Sequence, residues 1–190
     1  MFFTRVFQKY LVRLIVFFLI FFSLNKLAMA EEKKAYFAGG CFWCVEEAFE
    51  KTPGVLKAIS GYTGGDLKNP TYEQVTYNET GHYEAVEVVY DPKLISYKQL
   101  LDVFWKNIDP YDAQGQFCDK GSSYLTAVFY QNDEEKSAFE DSKKKLGKSD
   151  ISDFVTHLKK LDVFYPAEDY HQDYYKNNPI RYKLYKTGCG

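Results

Sequence analysis

No charge of one sign dominates this sequence. Its 24 lysines and arginines stand against 26 aspartates and glutamates, a formal net charge of −2. That balance removes the electrostatic case for nucleic acid, whose backbone needs a basic face. No long block of like charge occurs either, and the mixed stretch EDSKKKLGKSD reads as the solvated end of a helix. Internal repeats and low-complexity tracts are absent. A zinc centre lacks its ligands: beyond Cys41 and Cys44 it would need two more, Cys118 and Cys189 have no partner spacing, and His82, His157 and His171 are scattered. For His157 and His171 the expectation is a solvent-facing or hydrogen-bonded structural place. The apolar run from Leu14 to Leu24 is short for the roughly twenty residues of a membrane span.

What is present begins with a leader. Arg5, Lys9 and Arg13 precede the apolar run, and Ala28-Met29-Ala30 follows it. Basic start, apolar centre and small-residue site are the order of a secretory signal peptide. Residues 1–30 are therefore predicted to be a cleaved leader, with an uncleaved membrane anchor as the alternative. The remaining residues, 31–190, are expected to be one exported domain, periplasmic or secreted, and a monomer.

Along that domain, KKAYFAGG reads as a strand ending in glycines, and CVEEAFEKTPG as a helix stopped by Pro53-Gly54. VLKAISGYTGG and the valine-rich HYEAVEVVYDP read as strands. A turn of helix is expected around Tyr72 to Val75. In SYKQLLDVFWKNI, Leu100, Leu101, Phe104, Trp105 and Ile108 recur at helical spacing behind Ser96, a good N-cap. DPYDAQGQFCDKG reads as a long loop, SSYLTAVFY as a strand, and NDEEKSAFEDSKKKL as a helix capped by Asn132. FVTHLKKLDVFYP reads as a strand or strand pair, and AEDYHQDYYKNN as a short polar helix. The tail RYKLYKTGCG shows little pattern. This order is not strict β/α alternation. It predicts an α+β fold: a mixed or antiparallel sheet with covering helices, a ferredoxin-like split βαβ plait, and a long irregular C-terminal segment.

The chemistry centres on AGGCFWCVEEAFE. Cys41 stands where a strand ends and a helix begins, so unpaired N–H groups and the helix dipole favour its thiolate. Gly39 and Gly40 allow a tight turn and close backbone approach. Cys44 lies one turn on and should be less well stabilised. Phe42 and Trp43 are either core residues or an apolar cradle beside the sulfur. From these residues three readings stand: a thioredoxin-like thiol–disulfide oxidoreductase using Cys41 and Cys44, a disulfide-stapled binding module, and, least supported, a zinc site.

GCFWC after a strand, then GYTGG, NPTYEQV, TGHYEAVEVVYDP, LLDVFWKNIDP, QFCDKGSSY and EDYHQDYY, resembles the A-type peptide-methionine sulfoxide reductases. The likeness runs from about Ala35 to the C-terminus, with Ser123 and Leu125 standing where many relatives have glutamine and arginine. It implies thiol-dependent reduction of methionine-S-sulfoxide, free or in oxidised proteins, with no bound cofactor and no metal. Cys41 would attack the sulfoxide sulfur and Glu84 would supply the proton, its pKa raised by an apolar pocket. Tyr72 and Tyr124 would hydrogen-bond the sulfoxide oxygen, Asp119 would assist through water, and Phe42 and Trp43 would hold the methyl group. Glu87 should point away from Glu84 into solvent, and His82 is a structural neighbour. A second thiol would resolve the sulfenic acid, Cys189 first and Cys44 second, with Cys118 a further candidate. A thioredoxin-like protein, or dithiothreitol in its place, would then reduce the disulfide.

Overall fold

The computed structural model describes residues 31–146 and 153–189. The leader expected over residues 1–30 lies outside them. The central strand is β3 (Tyr83–Tyr90), flanked by β1 (Lys33–Gly39) and β2 (Val55–Thr63), both antiparallel to it. Helix α1 (Phe42–Glu50) thus joins two parallel strands across a third. β6 (Thr126–Tyr130) runs antiparallel along the other side of β1. The order β6-β1-β3-β2 is the split βαβ plait expected from the sequence. Two short strands extend it to six: β7 (His157–Lys160), parallel to β6, and β8 (Phe164–Pro166), antiparallel to β2.

Strand alternation decides what faces the helices. Val86 and Val88 point into the main core with Phe37, Phe49 and Phe104, while Tyr83 and Ala85 join a smaller cluster with Tyr36 and Phe129. Phe37 stacks on Phe49 at 4.8 Å and meets Phe104 at 5.2 Å. Helix α2 (Tyr72–Tyr77) is started by a Thr71–Gln74 capping box. Ser96 and Gln99 form another at the start of α3 (Tyr97–Lys106). Leu100, Leu101, Phe104 and Trp105 are buried from that helix, as their spacing predicts. Asn132 caps α4 (Asp133–Lys145), whose first turn is acidic and last turn basic, matching its dipole.

Several segments differ from the sequence reading. The long loop after α3 contains a small hairpin, β4 (Gly115–Gln116) with β5 (Asp119–Lys120). Its cause is Gln116, buried and bonded to both the N–H and the carbonyl of Asp109. A 3-10 turn, Ser122–Tyr124, precedes β6. The expected polar helix near the C-terminus is split into a 3-10 turn (Asp169–His171) and α5 (Tyr174–Asn177), parted at Asp173 by a backbone φ of 52°. The tail, without pattern in the sequence, is helix α6 (Pro179–Cys189). Glu87 is not solvated. It is buried between the Tyr36 hydroxyl, which donates at 2.7 Å, and Lys34 Nζ at 2.9 Å. His157 bonds the Tyr83 hydroxyl at 2.8 Å, the structural place expected for it.

Phe104 is the residue where α3 meets β1 and α1. Phe104→Ala is expected to lower stability by about 3–5 kcal/mol, read as a fall in urea midpoint at unchanged slope. A loss below about 1 kcal/mol would mean that this junction is not the core.

Candidate active site

β1 ends at Gly39 and α1 begins at Phe42, with Cys41 as the N-cap. The turn needs Gly40, whose φ is 78°, and any Cβ there would lie 2.5 Å from Gln116 Cβ. The β4–β5 hairpin therefore packs directly on the residue before Cys41 and delivers Asp119 beside it. Cys41 and Cys44 are free thiols, both half-buried, and the two sulfurs influence each other's ionisation.

Glu84 comes from β3, on the same face as Val86 and opposite Tyr62 in β2. It is 2 % exposed. Its Oε2 accepts from the Phe42 N–H at 3.1 Å, one of the donors that the start of α1 leaves open. Burial pushes the carboxyl up to about 8, with the Asp119 and Cys44 charges adding and the Phe42 N–H and Tyr124 hydroxyl opposing. With its carboxyl raised in this way, Glu84 holds its proton at neutral pH.

Tyr124 lies beside both Glu84 and Tyr72, so the two phenols sit together at the acid. Burial raises both, and they remain O–H donors. Tyr72 is placed by Glu168, which accepts from the Tyr72 N–H and the Tyr62 hydroxyl, each at 2.9 Å. Phe42 is almost fully buried among Tyr72, Tyr62 and His171. Trp43 is more open; Tyr174 stacks on its ring at 3.7 Å and Tyr185 meets it edge-on. The structure thus gathers Cys41, Phe42, Trp43, Tyr72, Glu84, Asp119 and Tyr124 around one place.

Two expectations are corrected. Cys41 has the helix-start position predicted for it, but burial pushes its thiol up, and Cys44 and Glu84 add to this. The Phe42 N–H that could have steadied its anion is turned to Glu84. The Cys44 thiol is pulled down by its neighbour Cys41, the Tyr182 hydroxyl and the Lys186 charge, against its burial. Of the two, Cys44 is the more acidic. Secondly, Cys189, ranked first as the resolving thiol, forms a disulfide with Cys118, Cα–Cα 5.1 Å. Neither sulfur is free, and Cys44 is the one thiol left beside Cys41.

Sequence reasoning missed α6. Tyr182, Tyr185, Lys186 and Cys189 follow the helical spacing i, i+3, i+4, i+7 and line one face. Tyr182 donates to Glu47 at 2.7 Å, and Lys186 pairs with the same carboxylate. Tyr185 donates to Asp119, and its hydroxyl lies beside the Cys41 thiol. A cavity of about 160 Å³ beside Cys44 is lined by Lys106, Asn107, Phe117, Tyr185, Lys186 and Cys189. His171, expected to be structural, is also part of the site: its Nδ1 accepts from Trp43 Nε1 at 3.2 Å and its ring lies 4.4 Å from Tyr72. Among the described residues, no three His, Cys, Asp or Glu side chains gather as a metal-binding group.

Comparisons with known proteins place the chain in one family. The family model described as peptide methionine sulfoxide reductase matches residues 33–190. The peptide methionine sulfoxide reductase MsrA of Bacillus licheniformis is 52% identical over 165 residues, covering 85% of this chain and 91% of that protein. Among solved structures, Mxr1 from Saccharomyces cerevisiae in reduced form superposes with a TM-score of 0.71 at 29% identity, covering 80% of this chain and 89% of that one. Methionine sulfoxide reductase A of Corynebacterium diphtheriae gives 0.70 at 29% identity, covering 81% and 78%. The chain belongs to the peptide methionine sulfoxide reductase family.

Proposed function

We propose that this peptide-methionine (S)-S-oxide reductase works with Cys41 as nucleophile, Glu84 as acid and Cys44 as resolving thiol. The observation that carries the reading is Glu84: a buried carboxyl, tied to the first N–H of α1 and protonated at neutral pH. Reduction of a sulfoxide needs a proton on the departing oxygen, and a buried carboxyl that keeps its proton can supply it.

The Cys41 sulfur attacks the sulfoxide sulfur while the oxygen takes the Glu84 proton. Tyr72 and Tyr124 donate hydrogen bonds to that oxygen without adding charge, and Asp119 assists through water. Phe42 and Trp43 hold the methyl group. Oxygen then passes to Cys41 and the thiol's proton restores Glu84, so that thiol and sulfoxide become sulfenic acid and methionine. The Cys44 thiol condenses with the sulfenic acid, forming the Cys41–Cys44 disulfide and releasing water. A dithiol of thioredoxin type, or dithiothreitol, reduces that bond by exchange and is itself oxidised. The cavity beside Cys44 is the approach to its sulfur.

The substrates in this reading are oxidised methionines of exported proteins. Two features support export. The leader has the order of a secretory signal, and the Cys118–Cys189 disulfide is a bond that persists in oxidising compartments. A thioredoxin-like exchange enzyme would use the same Cys41–Cys44 pair, but it has no departing oxygen for two phenols beside the carboxyl to bind.

Three measurements test the reading. In single turnovers with methionine-S-sulfoxide, Cys41→Ser is expected to release no methionine, and Glu84→Gln to react about 10²–10³-fold more slowly; equal rates for Glu84→Gln and the parent would remove the acid from the mechanism. Cys44→Ser should yield one methionine per chain without added reductant and leave a sulfenic acid that dimedone traps. No methionine from that variant would favour the exchange enzyme instead. Glu84 is the protonated form below its pKa, so its carboxylic C=O infrared band should be present at pH 6, vanish as pH rises through about 8, and be missing in Glu84→Gln. A Glu84 already ionised at pH 6 counts against the proposal.

A further inference from the structure

Helix α6 carries a phenol that the mechanism above does not use. The Tyr185 hydroxyl donates to the Asp119 carboxylate, its ring meets Trp43 edge-on, and it lies beside the Cys41 thiol. A phenol has one proton. While Cys41 is protonated, that proton goes to Asp119. Once Cys41 loses its proton, the sulfur becomes an anion and the phenol is the neutral donor next to it. Asp119 is only half-buried, so water can take the place of the phenol on its carboxylate.

What keeps Tyr185 there is not a packed helix. Tyr182 is the one α6 side chain that is buried, while Ile180 and Leu184 are more than 70% exposed. The polar ties of Tyr182 and Lys186 to Glu47 hold the middle of the helix. Its end is held by Cys189, bonded to Cys118. Cys118 precedes Asp119 directly, and Cys189 follows Tyr185 by one helical turn. The disulfide thus clips together the two segments whose side chains form the Asp119–Tyr185 bond.

We propose that Tyr185 is a further catalytic residue, the hydrogen-bond donor to the Cys41 sulfur as it becomes an anion, and that the Cys118–Cys189 disulfide is the tether that keeps its hydroxyl in reach. The proposal rests on the reading of Cys41 as nucleophile. It gives the bridge a task of position, separate from any exchange with the Cys41–Cys44 pair.

The test reads Cys41 directly. In the full chain carrying Cys44→Ser, Cys41 is the one free thiol, and its alkylation by iodoacetamide is followed against pH. The groups that face it are Glu84 from β3, Tyr72 from α2 and Tyr185 from α6, with Asp119 of β5 behind the phenol; all but the varied residue stay constant. Tyr185→Phe keeps the ring against Trp43 and removes only the hydroxyl. It is expected to move the alkylation profile to higher pH, reducing the thiolate fraction at neutral pH about tenfold. With Cys118→Ser and Cys189→Ser added, the same Tyr185→Phe change should alter the thiolate fraction less than twofold, because the phenol is no longer held. Comparing the change with and without the bridge cancels any loosening of α6 itself. An unmoved profile for Tyr185→Phe in the bridged chain overturns the donor. An equal change in both backgrounds overturns the tether. Methionine-S-sulfoxide reduction by the parent is assayed alongside; its failure would strike the proposed function, whereas the alkylation cycle judges Tyr185 by itself.

Discussion

The hydrogen bond from the Phe42 N–H to Glu84 is the constraint on which the site depends. It joins the centre of the sheet to the first turn of α1. Each side meets a need of the other. The helix start has donors without intrahelical partners, and its N-cap, Cys41, offers no side-chain acceptor. The carboxyl is sealed in the interior, where an unpaired anion would be costly. Retaining the proton and accepting one backbone N–H answers that cost, and it is also what an acid for sulfoxide chemistry requires. Structural economy and reactivity here come from the same contact.

The two cysteines are one turn apart and electrostatically unlike. Cys41 faces the buried acid and is held as a thiol; Cys44 faces Tyr182 and Lys186 and is drawn toward its anion. This division matches an order of events. In the proposed mechanism the sulfur beside the acid meets the sulfoxide, and the sulfur beside the cation takes the oxidised product. Glu47 maintains the second environment. Despite burial, Lys186, Lys51 and Tyr182 keep its carboxyl at about 2, so it remains an anion that anchors α6 throughout the neutral range.

Much of the plait could be read from local pattern. Strand β3 announces itself by valine density, and Ser96 and Asn132 mark helix starts by side-chain chemistry that acts within three residues. The motif residues around Cys41 were legible because the family resemblance singled them out of seventeen tyrosines and many carboxylates. What stayed hidden depends on distant partners. Helix α6 turns a mixed face of two tyrosines, a lysine and a cysteine inward, so hydrophobic periodicity does not reveal it. Glu87 looks like any solvated strand residue until Lys34 and Tyr36 arrive from β1. The pitch of the Cys41 thiol depended on where the Phe42 N–H went, and only the fold decides that.

The bridge between Cys118 and Cys189 also closes a covalent ring over a sequence separation of 71. Inside it lie β6, α4, β7 and β8, both edge strands of the sheet included. In the chain-entropy view, such a ring narrows the unfolded ensemble by about 4 kcal/mol. The short edges, which have few hydrogen bonds of their own, are thereby kept near their partners even when the sheet opens.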